Sequence, residues 1–393
     1  MINARTSLVR VALAVASTAV LNACVSAPAA QEAASYFLSV QDGRAGLADG
    51  KPVVRDAADT LAVIQLSAGR LRVAQQIALP TSLVGPPSSI AIAPGGRLAL
   101  VSAATRRDPT DAAKVVAFDL VSAVTLDLGG RVPPRVVSAL HTGAGASGIS
   151  INRAGTLALV ANRVEGSISV LGVDGESVQV VGKLALGDKS GPAHVAFTPD
   201  GRRALVTRDG DSRISLLAIE GRSVTIEREL YAGLRPYGLD VSPDGAWAVV
   251  TNLGAGQGDV DTISLIDLSA QPPRVVDTVS AGQTTEGVFF SPDGRAGGVT
   301  VIDGSNKPKA SAFHGPARYR LFGIDGGKLR PEGQLAGGQW LQGHAFSPDG
   351  RAVLVQDAAN RQIRPYRIDG NTVSDSGQRV QLDAAPATLK FWR

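Results

Sequence analysis

The sequence predicts an all-β chain folded as a seven-bladed β-propeller of four-stranded antiparallel blades. Three observations predict it. One turn recurs along the chain behind an apolar run, each recurrence opens a unit with room for four strands, and the two chain ends supply complementary parts of one further unit.

The turn comes first. Ser-Pro-Asp-Gly stands at 242–245, 291–294 and 347–350, and Thr-Pro-Asp-Gly at 198–201. Proline fixes φ near the value the second turn position needs, aspartate bonds its own backbone, and glycine tolerates a positive φ. Aligning on this turn exposes six copies: "SSIAIAPGGR" (88–97), "SGISINRAGT" (147–156), "AHVAFTPDGR" (193–202), "YGLDVSPDGA" (237–246), "EGVFFSPDGR" (286–295) and "QGHAFSPDGR" (342–351). The turn glycines are 59, 46, 44, 49 and 56 residues apart, a spacing that means a repeat architecture. No amphipathic helical stretch intervenes, which excludes ankyrin-like and leucine-rich solenoids.

Within a unit the strands follow in a fixed order. An apolar run such as "HVAF" fits a strand covered on both faces. After the turn come "RALVT" (203–207), "ISLLAI" (214–219) and "VTIEREL" (224–230), which completes one blade. The C-terminal "APATLKFW" (385–392) reads as an inner strand with no successor. The N-terminal "YFLSVQD" (36–42), "TLAVIQL" (60–66) and "LRVAQQI" (71–77) read as second, third and fourth strands with no first. Joined, they form a composite blade that closes the ring and leaves no sheet edge unpaired. Six units and the composite make seven blades over residues 36–393, with 25–35 as a short linker.

Composition agrees. Hydrophobic residues make up 44% of the chain, aromatic residues only 4%, and there are 45 glycines and 22 prolines, as many short strands and turns require. Residues 1–24 read as a signal peptide: Arg5 and Arg10 flank the start of "VALAVASTAVL" (11–21), an apolar run too short to span a bilayer. The single cysteine, Cys24, ends "LNAC" (21–24), which resembles a bacterial lipobox and makes Cys24 a lipidation site; ordinary cleavage after "APA" (27–29) is the alternative. The expected location is the periplasm, or the outer membrane through a lipid anchor. Beyond Cys24 there are 37 basic and 35 acidic residues, interspersed, so no basic stripe suggests a nucleic-acid partner.

"TLALVANRVEGSISVLGVDG" (156–175) resembles the Tyr-Val-Thr-Asn repeat family, in which a "VAN"-type strand leads into "SVSV". The whole arrangement over 36–393 resembles the seven-bladed lactonase-like propellers, the group containing bacterial 6-phosphogluconolactonase and fungal muconate-lactonizing enzyme. The resemblance implies the fold and, more loosely, lactone chemistry, since the repeat encodes blades and not a site.

In a propeller the loops that enter the inner strands crowd around one mouth of the central channel, where a ligand site is expected. These positions hold Ser88-Ser89, Ser147-Gly148, Ala193-His194, Tyr237-Gly238, Glu286-Gly287, Gln342-Gly343 and Ala387-Thr388. "GPAH" (191–194) resembles the family's Gly-Pro-Arg-His segment, whose histidine is associated with the active site. Here Ala193 replaces the arginine, and Arg208-Asp209 stand where the family has Asn-Glu. Lactone hydrolysis needs a base to activate water and a cation or donor for the developing oxyanion. His194, Asp209, Glu286 and Arg235 are the candidate catalytic residues, and Ser89, Ser147, Tyr237, Gln342 and His344 the candidate ligand contacts. Asp240 and Lys390 lie at matching offsets inside inner strands, where each needs a hydrogen bond or a charge nearby. The four histidines (141, 194, 314, 344) show no metal-ligand spacing, so no zinc site and no cofactor is expected, a hard cation on channel carbonyls or on Asp240 being the alternative left open. Two insertions, 42–59 and 303–317 (with Lys307, Lys309, Phe313 and His314), lengthen blades one and six; loops this long are often functional.

Two functions fit. The first is a monomeric ligand-binding or scaffold module of the cell envelope, with a small molecule or an envelope protein as partner. The alternative is a metal-independent lactonase acting on a small sugar-acid or aromatic-acid lactone.

Overall fold

The computed structural model describes residue 1 and residues 34–392, apart from residue 84 and residues 128–130. The body of the expected leader, Cys24 and most of the linker lie outside the described residues. Seven four-stranded antiparallel sheets follow one another along the chain, and a short hairpin, Ala45–Ala48 with Lys51–Val54, stands apart from them. Among the described residues no helix is long and apolar enough to cross a membrane.

The composite blade forms as the chain ends require. Ala385–Trp392 is the inner strand, followed by Ser35–Asp42, Thr60–Ser67 and Arg70–Ala78. Tyr36 pairs with Trp392, Phe37 with Phe391 and Val40 with Thr388. Trp392 also donates its indole N–H to Gly96 O of blade two at 2.7 Å, fixing the closing strand to the next blade.

The core is distributed. Apolar clusters lie between neighbouring sheets rather than at one centre: Leu157, Leu159, Ile168, Val195, Val206 and Leu217 join blades three and four. Phe37, Ile64, Leu354, Ile363 and Leu389 join blades seven and one. A strand covered by a sheet on each side has to be apolar throughout, which is why the second strand "LALVAN" is buried at all six positions.

The recurrent turn is built as its residues dictate. In the copy at 291–294 Ser291 Oγ donates to Asp293 Oδ1 at 2.6 Å, and Gly294 N donates to Ser291 O at 2.9 Å. Gly294 sits at φ 71°, and a Cβ there would lie 2.9 Å from Pro243 Cδ in the preceding blade's turn. Gly155 and Gly245 abut Pro94 and Pro199 in the same way. Proline and glycine of successive turns therefore touch around one face of the ring, called here the turn side. The opposite, loop side carries the loops that enter the inner strands.

Blade seven departs from the expected single outer strand. Its edge is split into Thr372–Asp375 and Val380–Gln381, both paired to the third strand Gln362–Asp369. The third strand contains Pro365, which has no N–H to give the ladder. Ser376 caps the break by donating Oγ–H to Pro365 O at 2.6 Å.

Candidate functional site

A repeated hydrogen bond sets the loop-side mouth. Near the end of the second strands of blades four, five and six a threonine hydroxyl donates to a carbonyl at the start of the next blade's inner strand: Thr207 Oγ1 to Tyr237 O at 2.7 Å, Thr251 Oγ1 to Glu286 O at 2.8 Å and Thr300 Oγ1 to Gln342 O at 2.7 Å. The inner strands of blades three to seven also begin with a bulge, seen between Pro236 and Leu239 and between Thr285 and Val288. Glycine follows Tyr237 because a Cβ on Gly238 would strike Glu286 O. The backbones of blades five and six thus approach closely, which brings the side chains of Tyr237 and Glu286 together.

Around them stands a charged cluster from three blades. Asp209, at the end of the second strand of blade four, is almost fully enclosed, with 3% of its side chain exposed. Arg163 of blade three pairs with it through Nε to Oδ1 (3.3 Å) and Nη2 to Oδ2. Arg235, entering blade five, places Nη2 at 3.4 Å from the same Oδ2. Gly191 leaves room for the carboxylate, since a Cβ there would be 2.7 Å from Asp209 Oδ1. Arg235 is held at φ 55°, a left-handed conformation that costs a non-glycine residue about 1 kcal/mol. Ser212 Oγ accepts its N–H at 3.1 Å, and its carbonyl accepts from Leu253 N at 2.9 Å.

Glu286 has a different character. It is buried, and its Oε2 has no hydrogen-bond partner. Burial pushes its carboxyl up from 4.5 to about 8, against the opposing pull of Arg163 and Arg235. Tyr237 is likewise raised by burial and by Glu286. The mouth therefore holds one carboxylate clamped by two guanidinia and one carboxyl protonated near neutral pH. A buried carboxyl raised in this way, beside two guanidinia, is the pattern expected of acid–base chemistry.

Asp209, Glu286, Arg235 and Tyr237 come together; His194 does not join them. Its Nδ1 accepts Leu239 N–H at 3.1 Å, and it lines a cavity at the turn side with Asp240 and Lys390. Burial, then Lys390, lower its pKa to about 3, so it is neutral and carries its proton on Nε2. The expected convergence of four residues is corrected to three, because the strand bulge turns position 194 down the channel. Arg208 is absent from the mouth too: it is buried among Asp211, Ser215 and Glu229 of its own blade.

The expected ligand contacts divide. Ser89 is buried, with Oγ at 2.7 Å from Thr388 Oγ1, and Ser147 is buried as well. Gln342 is buried with Oε1 unpartnered. His344, 1% exposed, is boxed by Phe289, Tyr319 and Phe346, with ring centroids at 5.0, 5.1 and 5.9 Å. The channel does not open at the loop side as a plain funnel. Pro86 O accepts from Thr388 Oγ1 at 2.7 Å, and the Cβ of Pro87 lies 3.3 Å from where a Gly287 Cβ would sit. Pro86-Pro87, buried, thus bridges blade one and blade six.

The two insertions meet on this face. Lys309 N donates to Asp49 Oδ1 at 2.9 Å, Gly50 lies against Pro308, and Lys307 Nζ donates to Gly256 O at 2.9 Å.

Sequence reasoning missed Arg163 and the bridge made by Pro86-Pro87. Arg163 follows Asn162 at the same register at which Asp209 follows Arg208, so opposite charges at equivalent positions of neighbouring blades were the available signal. "GPPSS" (85–89) carried the second. Among the described residues no group of three or more His, Cys, Asp or Glu side chains is placed to hold a metal ion.

Residues 111–231 match a family model described as lactonase, 7-bladed β-propeller. Solved structures share the fold across nearly the whole chain. A Bacteroides fragilis protein provisionally described as a 6-phosphogluconolactonase superposes with a TM-score of 0.73 at 16% identity, covering 93% of this chain and 99% of that one. The periplasmic gluconolactonase of Pseudomonas aeruginosa superposes with a TM-score of 0.68 at 19% identity, covering 92% and 99%. No curated protein matches the sequence.

Proposed function

We propose that the chain is a lactonase that opens a small, polar lactone ring at the loop-side mouth without a metal ion. One observation carries the reading: a buried carboxyl, Glu286, raised to about 8 and with an unspent oxygen, stands beside two arginines that share Asp209. The fold shared with proteins named as gluconolactonases supports hydrolysis over the scaffold role also expected from the sequence.

The roles follow from the chemistry. In its ionised form Glu286 takes a proton from water as the water oxygen bonds to the lactone carbonyl carbon. A carboxylate with a raised pKa is a stronger base than an ordinary one. The carbonyl oxygen becomes an oxyanion held by Arg163 and Arg235, whose guanidinia are kept in place by Asp209. Collapse breaks the acyl–oxygen bond of the ring, and Glu286 returns its proton to the departing ring oxygen. The product is an open hydroxy acid. Export through the leader expected at residues 1–24 would give the enzyme envelope substrates.

The test is a panel of sugar-acid and aromatic-acid lactones, assayed with and without a chelator. Turnover is expected to survive chelation, and Arg163→Met to lower kcat/KM by roughly 100-fold or more, as loss of one oxyanion donor does. Absence of turnover on every lactone, or turnover indifferent to both Arg163→Met and Glu286→Gln, would overturn the reading.

A further inference from the structure

The turn-side half of the central channel contains charged groups for which the hydrolytic reading has no use. Asp240, Phe289 and Lys390 occupy the same register in the inner strands of blades five, six and one. They lie three residues beyond Tyr237 and Glu286 in sequence, past the strand bulge and toward the recurrent turns. A cavity of about 450 Å³ opens here, lined by His194, Asp240 and Lys390 among others. A second cavity of about 260 Å³, also bounded by Asp240 and Lys390, adjoins it and includes Phe289.

The two charges are held apart. Asp240 Oδ2 accepts Phe290 N–H at 2.8 Å, Val241 N–H also bonds the carboxyl, and the side chain lines both cavities. Lys390 Nζ lies over the face of Phe289, 4.7 Å from the ring centroid, and makes no ion pair with Asp240. The pair still feels itself across the gap: burial raises Asp240 and lowers Lys390, and each charge partly offsets the other's shift. A third polar group joins them, because Leu239 N–H occupies His194 Nδ1 and leaves Nε2–H as a donor. A low-dielectric channel with an acceptor and two donors held apart is costly when empty of a complementary partner.

We propose that the turn-side cavity binds a small zwitterion of the amino-acid class, its carboxylate on Lys390 Nζ and His194 Nε2–H and its ammonium on the Asp240 carboxylate. A ligand with both charges satisfies both walls at once, whereas a singly charged one leaves the other wall unpaired. This site does not depend on the lactonase reading, since neither cavity is lined by Arg163, Asp209, Arg235 or Glu286.

The test is titration calorimetry on the full-length protein with glycine, L-alanine and L-leucine, against propionate and n-propylamine as single-charge controls. At least one amino acid is expected to bind saturably, with both controls about tenfold weaker or more. Asp240→Asn and Lys390→Met should each weaken binding by at least about tenfold, while Glu286→Gln leaves it unchanged. Asparagine keeps the oxygen that accepts from Phe290, so Asp240→Asn carries the test should Lys390→Met not fold. The proposal is overturned if no amino acid binds up to about 50 mM, if propionate binds as tightly as L-alanine, or if the folded variants bind like the parent.

Discussion

Glu286→Gln should make the protein more stable, and the gain should grow with pH. Glu286 is protonated in the folded protein up to about 8, whereas in the unfolded chain it ionises near 4.5. Below 4.5 both states hold the proton and the group contributes no pH dependence. Between 4.5 and about 8 the unfolded chain releases a proton that the folded protein keeps, so stability falls as pH rises; above about 8 the loss is complete. At about 1.4 kcal/mol for each pH unit, the interval from 4.5 to about 8 corresponds to a loss on the order of 5 kcal/mol. Glutamine has nearly the same shape and no charge to form, so it escapes this loss. Equilibrium denaturation of parent and variant at pH 5, 7 and 9 isolates the effect, because every other titrating group cancels in the difference. The advantage of the variant should be small at pH 5 and rise by roughly 3–5 kcal/mol at pH 9. A difference that stays constant from pH 5 to 9 would show that Glu286 ionises normally in the fold, and the acid–base role assigned to it would fall with that result.

Deleting residues 386–393 should open the ring between blades seven and one; loss of buried Leu389 and Trp392 alone removes about 3–6 kcal/mol, and a truncation that melts with the parent would refute the closure. Gly294→Ala should destabilise by about 2 kcal/mol, from its positive φ and its contact with Pro243, whereas Gly370→Ala, with a positive φ and nothing near, should cost about 1 kcal/mol; equal melting temperatures for the two variants would remove the contact from the account. If Cys24 is lipidated, the protein should fractionate with membranes and Cys24→Ser should release it, since the multiple acyl chains of a lipoprotein hold firmly; mass spectrometry showing an unmodified mature start near Ala30 would exclude the anchor.

The architecture was legible because its signals are local. A Ser-Pro-Asp-Gly turn announces itself in four residues, and the expected strand "ISLLAI" became Arg213–Glu220 by one residue added at each end. Even the composite blade needed only the observation that one terminus lacked what the other supplied. The interrupted edge of blade seven was hidden for a different reason. It depends on Pro365 of the third strand facing the outer strand, a pairing direction that sequence alone does not give.

The site was less legible because each blade contributes one or two residues from a different part of the chain. Position 194 and positions 237 and 286 all follow the same kind of loop, yet a shift of one residue at the strand bulge decides which end of the channel a side chain serves. His194 stands one place beyond the position held by Tyr237 and Glu286, level with Gly238 and Gly287. In blades five and six that level has to be glycine, because the neighbouring carbonyl leaves no room; in blade four it carries an imidazole instead, directed away from the charged cluster. A motif match that fixes residue type without fixing register therefore points to the right strand and the wrong mouth. Arg163 illustrates the converse: it matched no motif, but its register at the end of a second strand, opposite Asp209 in the next blade, delivers a guanidinium to that carboxylate.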